Sequence, residues 1–435
     1  MILSFFLHLL MEINELYNFY KQSYKVTTDT RLNLENSMFF ALKGDNFNGN
    51  LYAEIALKKG ADFAVVDEKK YKTNDQIFLV EDTLQALQDL AKYHRQQLNI
   101  PIIALTGSNG KTTSKELIHT VLKQKFECVA TKGNLNNHIG VPLTLLSMSP
   151  DTEIGVVEMG ANHANEIDLL CRIALPDFGY ITNFGKVHLE GFGNLEGVIE
   201  AKTELYRYLQ KRDKNVFINA MDPIQIRESK EMKTITFCSK KSEFPVEFIN
   251  ANPFVGVKFN GIIVQSKLIG KYNYSNIAIA IAIGRYLDIS YSQIKKAIEN
   301  YIPSNNRSQI IKKESNQIIL DAYNANPNSM EVAIENLVQL SAPYKIAILG
   351  DMFEVGDNTL QEHLIVANLV QKSNINKAFL IGKSFAEIKI NSHKIIQYKT
   401  FEEFKNGFLK NKVSNATILI KASRGMKLER VIDLL

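Results

Sequence analysis

The chain has 435 residues, 45% of them hydrophobic and 22% charged, which excludes a mostly disordered protein and suggests roughly three domains at about 150 residues each. Its formal charge of +5, from 51 basic and 46 acidic side chains, is too small and too dispersed to argue for nucleic-acid binding. Three cysteines without a CxxC pair argue against a disulfide framework or a structural zinc site, so the expectation is a reducing, cytoplasmic compartment.

Met1 to Leu10 is almost wholly apolar, yet too short to span a bilayer and without the features of a signal peptide. It is expected to be an upstream start or an apolar tail ahead of Met11, and no other stretch is apolar enough to span. Leu84, Leu87, Leu90, Ala91, His94 and Leu98 recur at helical spacing after Asp82, a natural N-cap. Asn99, Ile100 and Pro101 end that helix, and a first domain boundary is expected there. Ile302 to Asn306 forms a second polar break. The expected domains are therefore 11–99, 100–302 and 303–435.

From IIALT onward, short apolar runs alternate with amphipathic helices, the signature of parallel α/β sheets. The predicted strands are 102–106, 154–159, 178–182, 318–322, 345–350, 378–382 and 417–421. IAIAIAIG (277–284) alternates like a strand, but its alanines and its polar start at Ser275 and Asn276 favour a buried helix. Thr359 and Glu362 are spaced as a capping box for the helix after them.

The residues just beyond each strand carry the chemistry. In open α/β sheets, ligands bind past the carboxyl ends of the strands. IIALT runs into Gly107, Ser108, Asn109, Gly110, Lys111, Thr112 and Thr113, and then into a helical pattern. Two glycines let backbone N–H groups approach a phosphate chain, Lys111 supplies a flexible cation and Thr112 a hydroxyl for Mg²⁺. The full pattern has a further glycine at position 105, where this chain has Leu105, so the match is to the shorter GxxGKT form. Other strands end at Glu158, at Asn183 to His188, at Asp321, at Asp351, and at Lys421, Ser423 and Arg424. Glu158 is a credible Mg²⁺ ligand on its chemistry, although a solvated rim carboxylate is the plain alternative. His188 and Lys202, taken singly, read equally well as a satisfied histidine and a solvated helix lysine.

The ordered series TGSNGKTT, KGNLNNHIGVPLTLL, EMGANHANEI, ITNFGKVHLEGFGNLEGVIEAKTELY, DAYNANPNSM, LGDMFEVG and KASRGMKLE resembles the Mur ligase family over nearly the whole chain from Met11. The resemblance implies an α/β protein of three domains: a small α/β domain for a UDP-sugar, a central P-loop-type ATPase with a parallel sheet, and a C-terminal Rossmann-like domain. It implies ATP, two Mg²⁺ ions and a carbamate on Lys202. By the same resemblance, Thr112, Glu158, His188 and Lys202 are metal ligands, and Lys111, His188 and Lys202 serve catalysis. Asn273, Asn276, Arg307, Asp321, Asn324 and Asn326 correspond to ATP contacts. Thr28, Asp29, Thr30 and Arg31 correspond to the uracil-nucleotide motif. In the continuation of that motif, a usual DGH reads Asn48-Gly49-Asn50. Asn134, Asn136 and Asn137 lie where the family holds the muramoyl-peptide, with an Asx-rich turn as the alternative. A family KGSR reads Lys421-Ala422-Ser423-Arg424 here. EMGAN and DAYNANPNSM point to the branch that joins D-alanyl-D-alanine to a UDP-N-acetylmuramoyl-tripeptide, acting as a monomer. The competing expectations are a related ATP-dependent ligase and a nucleotide-driven switch.

Overall fold

The computed structural model describes residues 10–303, 306–409 and 413–435. The apolar start, residues 1–9, and Ser304 and Asn305 of the second polar break lie outside the described residues. Three α/β units succeed one another along the chain, each built on its own sheet.

The first unit holds β1 (Val26–Thr27), β2 (Met38–Phe40), the short hairpin of β3 (Lys43–Gly44) with β4 (Phe47–Asn48), then β5 (Phe63–Val66) and β6 (Ile77–Leu79). Its sheet has the order β1-β2-β5-β6 with every pair parallel. The helix Thr83–Gln97 starts as its sequence dictates, with Asp82 accepting from the backbone N–H of Gln85 at 2.7 Å. The same helix fastens this unit to the next. Gln88 donates to the His138 carbonyl at 3.0 Å, and Arg95 pairs with Asp177 at 2.8 Å. His94, fully buried, bonds the Met148 carbonyl at 2.9 Å. One apolar core runs from Leu16 and Phe40 through Leu87 and Leu90 to Leu145 and Ile218 without a break between the units.

The central unit contains β7 (Ile102–Thr106), β8 (Cys128–Ala130), β9 (Ile154–Glu158), β10 (Phe178–Ile181), β11 (Asn215–Asn219) and β12 (Lys233–Phe237), then an antiparallel trio, β13 (Glu247–Ala251), β14 (Phe254–Phe259) and β15 (Ile262–Ile269). The six strands are parallel in the order β12-β11-β10-β7-β9-β8. All five residues of β7 and of β9 are buried, which is why both read as unbroken apolar runs. The chain moves from β7 to the β8 side and later returns to place β10 on the other side, so the carboxyl end of β7 opens into a crevice. The alternating IAIAIAIG segment is helical, within Asn273–Tyr286, and every residue from Asn276 to Gly284 is buried. A helix apolar on all sides has no solvent face; this one lies in a core shared with the helix Lys111–Leu122 and the antiparallel trio.

The last unit has β16 (Gln309–Lys313), β17 (Asn316–Asp321), β18 (Lys345–Gly350), β19 (Lys377–Ile381), β20 (Ile395–Tyr398) and β21 (Thr417–Lys421) in the order β16-β17-β21-β18-β19-β20. Only the edge strand β16 is antiparallel. Every predicted strand exists, three with the predicted ends and four with ends moved by a residue or two. The capping box does not form. A short 3-10 turn, Gly356–Asn358, runs directly into the helix Thr359–Lys372, so Thr359 already has helical angles (φ −49°, ψ −51°) and its hydroxyl donates back to the Gly356 carbonyl at 2.7 Å. Glu362 instead faces Lys186 of the central unit at 3.5 Å. Cys128, Cys171 and Cys238 are all buried and unpaired, and burial pushes each thiol pKa up, Cys128 to about 12 and Cys238 to about 11. Among the described residues no helix is long and apolar enough to cross a membrane.

Candidate active site

The glycine-rich loop between β7 and the helix Lys111–Leu122 is shaped by its neighbours. Gly107 has φ +135°, and a Cβ there would sit 2.0 Å from Thr182 Oγ1. Gly110 has φ +80°, and its Cβ would meet Asn276 Oδ1 at 2.7 Å. Only glycine fits either place. The loop is clamped to the segment after β10. The Thr182 hydroxyl and the Asn183 amide donate to the Asn109 carbonyl at 2.6 and 2.9 Å, and Asn183 Oδ1 accepts from the Asn109 N–H at 3.0 Å. Ser108 and Gly185 exchange two further bonds. Lys111 folds over the loop and donates to the Gly107 carbonyl at 2.6 Å; burial holds its pKa below the ordinary lysine range.

Beside this loop stands Glu158, at the end of β9 and 1% exposed. Its Oε1 accepts from Thr112 Oγ1 at 3.2 Å and from Asn136 Nδ2 at 2.8 Å. Its Oε2 is buried and, among the described residues, has no hydrogen-bond partner; Lys115 Nζ stands 3.9 Å away. Lys111, Thr112, Asn134, Asn136, Asn137, Glu158 and His188 line one cavity of about 740 Å³. Asn273, Asn276, Arg307, Asp321, Asn324 and Asn326 line the same cavity.

Several of these side chains are held in chains of bonds. Asn276 Oδ1 accepts from Ser114 Oγ at 2.9 Å, its amide donates to Asn273 Oδ1 at 2.8 Å, and Asn273 donates to the Ile269 carbonyl at 2.8 Å. Asn326 caps the helix Pro327–Gln339 by exchanging bonds with Ser329, and its Nδ2 crosses to Asn109 Oδ1 at 2.9 Å. Lys421 is buried and donates to Asp321 at 2.7 Å and to the Asn324 carbonyl at 3.0 Å, which fixes the loop after β17. The Arg307 guanidinium lies over the Tyr323 ring, 3.7 Å from its centre.

Two family models match this chain: the Mur ligase middle domain over residues 105–284, and the Mur ligase glutamate ligase domain over residues 306–424. The chain is 35% identical over 430 residues to UDP-N-acetylmuramoyl-tripeptide--D-alanyl-D-alanine ligase of Bacillus subtilis, spanning 94% of this chain and 92% of that protein. The chain belongs to the Mur ligase family. Among solved structures, MurF from Acinetobacter baumannii superposes with a TM-score of 0.83 at 28% identity, over 94% of this chain and 93% of that one. The MurF ligase from Thermotoga maritima, solved in complex with ADP, does so with 0.83 at 26%, over 95% and 97%.

Not every predicted residue of this Mur ligase reaches the cavity. Lys202 is 1% exposed and stands behind the wall, donating to the carbonyl of the lining residue Ala161 at 3.1 Å. Burial, and then the charge of Lys111, lower its pKa to about 7. Thr28 to Arg31 lie on the first unit, away from the cavity, where Arg31 grips Asp29 through Nε and Nη2 at 2.8 and 2.7 Å and holds its carboxyl pKa down to about 2. Where the family pattern has a histidine, Asn50 is buried and exchanges bonds with Asp67 at 2.8 and 3.0 Å. Asp351 and Ser423, expected from sequence among the edge residues, are structural. Asp351 accepts the backbone N–H groups of Ser384 and Phe385, and Ser423 accepts that of Phe353. Sequence reasoning misses Thr182, Lys115 and Glu354. A hydroxyl and an amide directly after β10, opposite the glycine loop, are the available signal for Thr182 and Asn183. Glu354 pairs with His188 Nδ1 at 2.5 Å across the seam between units, and burial lowers the His188 pKa against the pull of that carboxylate.

Proposed function

We propose that this Mur ligase joins D-alanyl-D-alanine to UDP-N-acetylmuramoyl-tripeptide, converting ATP to ADP and phosphate. The relatives that match over nearly its full length carry that activity in their names. The observation that carries the reading is the meeting of Lys111, Thr112 and Glu158 of the central unit with Asp321, Asn324 and Asn326 of the last unit in one cavity.

A peptide carboxylate does not acylate an amine until it has a leaving group. Its oxygen attacks the γ-phosphorus of ATP, the bond to the β-phosphate oxygen breaks, and ADP leaves behind an acyl phosphate. The amine of D-alanyl-D-alanine then adds to the acyl carbon, loses a proton, and expels phosphate. Such transfers run mostly on positioning and charge. The loop N–H groups and Lys111 hold the β- and γ-phosphates, and Asn273 and Asn276 bound the adenine side. The amides of Asn134, Asn136 and Asn137 hold the muramoyl-peptide, and Thr28 to Arg31 take the uracil nucleotide. Arg307, Asp321, Asn324 and Asn326 close over the nucleotide and exclude water from the acyl phosphate. In this reading residues 11–99 serve the UDP-sugar, 100–302 the ATP and 303–435 the closure.

The donor set suits magnesium. Glu158 Oε2 is a buried oxygen without a hydrogen-bond partner among the described residues, beside the Thr112 hydroxyl. Glu158 and Thr112 would hold the ion, with phosphate oxygens and water as the further oxygen ligands that magnesium prefers. When bound, magnesium supplies charge that offsets the phosphate oxygens. His188 and Lys202 would hold a second ion. The lowered pKa of Lys202 leaves a large share of neutral amine at neutral pH, the form that adds CO₂ to give a carbamate. Buried, unpaired thiols and nucleotide-linked substrates both suit a reducing, cytoplasmic setting.

The deciding assay measures steady-state phosphate release with each substrate omitted in turn, using tripeptides with meso-diaminopimelate or lysine at the third position. Release should require both the tripeptide and D-alanyl-D-alanine. Lys111→Ala should lower kcat by about 10²–10³-fold, the usual loss when one preorganised donor to a charged transition state is removed. Full ligation by that variant, or release without the dipeptide, overturns the reading.

A further inference from the structure

The loop after β18 crosses the seam between the last unit and the central one. Its base is fixed inside the last unit by the two backbone bonds to Asp351, by Met352 donating to His363 Nε2 at 3.0 Å, and by Phe353 donating to Ser423 Oγ at 2.9 Å. The next residue, Glu354, has φ +61°, a backbone region disfavoured for a side chain of its kind. From there its carboxylate reaches His188 Nδ1 at 2.5 Å. Gly356, two residues on, lies against Glu190; a Cβ there would be 3.6 Å from the Glu190 side chain. Glu354 is therefore part of the last unit, held by a pinned turn, while the histidine it grips belongs to the central unit.

An ionised carboxylate accepts hydrogen bonds and donates none. The contact is 2.5 Å, a hydrogen-bond distance, so with the carboxylate accepting, the proton of this bond belongs to Nδ1. A neutral imidazole protonated at Nδ1 carries its lone pair on Nε2, the nitrogen left to face a ligand. Histidines that bind metals are held in this way by a carboxylate on the opposite nitrogen.

We propose that Glu354 is a positioning residue for the ligation: delivered by the last unit, its carboxylate fixes the Nδ1–H tautomer of His188 and leaves Nε2 as the lone-pair nitrogen beside the cavity. The histidine then acquires its working form only when the two units are together. This deepens the functional reading above and rests on it for its meaning in catalysis.

The test uses the full chain with isotopically labelled histidine ring nitrogens, compared as wild type, E354A, E354Q and E354D, with H188Q to identify the signal. Wild type should show a protonated Nδ1 and a bare Nε2 at His188. E354A should lose that fixed tautomer, and E354Q, whose amide oxygen still accepts, should keep it. In ligation, E354A should lower kcat by about 10–100-fold, the range for removing a partner behind a metal-binding histidine, with KM for ATP unchanged. E354Q should recover most of the rate. A wild-type His188 protonated at Nε2, or an E354A spectrum identical to wild type, overturns the assignment. If E354A fails to fold, E354D, whose side chain is one methylene too short to reach Nδ1 from the same backbone, should show the loss of the fixed tautomer, and a spectrum identical to wild type overturns the assignment. A wild-type protein with the expected tautomer that does not use D-alanyl-D-alanine would sink the functional reading and leave the tautomer assignment standing.

Discussion

Gly107→Ala tests whether the phosphate loop has the shape described, because the cost can be built from two separate terms. The first is conformational: at φ +135° an L side chain is strained, by about 1–3 kcal/mol. The second is steric. The new Cβ would lie 2.0 Å from Thr182 Oγ1 and 2.9 Å from the Thr182 backbone nitrogen, and overpacking of this kind costs about 1–3 kcal/mol. Together they give about 2–6 kcal/mol, which at about 2–4 °C per kcal/mol for a unit this size lowers the melting temperature by roughly 5–20 °C. Thr182→Ala removes the nearer clash but also the hydroxyl bond to the Asn109 carbonyl, worth about 1 kcal/mol; that carbonyl keeps its bond from Asn183. The double variant should therefore be more stable than the sum of the singles by about 1–3 kcal/mol, within the range seen for residues in contact. Thermal melting of the four proteins, with and without ADP, measures this, and Gly107→Ala should also weaken ADP binding. Strict additivity would refute the steric term, and an unchanged melting point for the single variant would refute both.

Two further predictions address other parts of the site. Lys202→Met removes a buried amine whose pKa is lowered to about 7 from its ordinary 10.5. Between those values the unfolded chain binds a proton that the folded chain does not, so wild-type stability, minus that of the variant, should rise with pH across the window and level off below it. Urea denaturation from about pH 6 to 10 checks the sign, and a flat difference contradicts the burial argument. Asn326→Asp keeps the oxygen that caps the helix Pro327–Gln339 but loses the amide donor to Asn109, whereas Asn326→Ala loses both. The alanine variant should be less stable by about 1 kcal/mol, while both should raise KM for ATP. Equal ATP affinity in wild type and the aspartate variant would show that the bond across the seam is idle.

The strands and the phosphate loop can be read from sequence because their signals are local: five-residue apolar runs, two glycines, a lysine and a hydroxyl within seven positions. The helix at 277–284 is legible too, since alanine and a polar start outweigh simple alternation. Chemistry carried by pairs is much less legible. Asn109 and Asn326 are 217 positions apart, and nothing in either neighbourhood announces the other. Asp351 resembles a rim carboxylate because it ends a strand; it is spent on two backbone N–H groups of the short helix after β19. Thr359 fails as a cap because the preceding 3-10 turn has already begun the helix. Lys202 stands out only by resemblance, and its burial behind Ala161 comes from helix packing that no spacing encodes.

Each native thiol is shielded and protonated in the folded state, and the thiolate is the reactive species. Maleimide dyes therefore have a silent background on this chain. A surface cysteine pair, one on either flank of the seam bridged by Asn109 and Asn326, will take donor and acceptor fluorophores cleanly, giving a direct ruler of the distance across that seam with and without nucleotide.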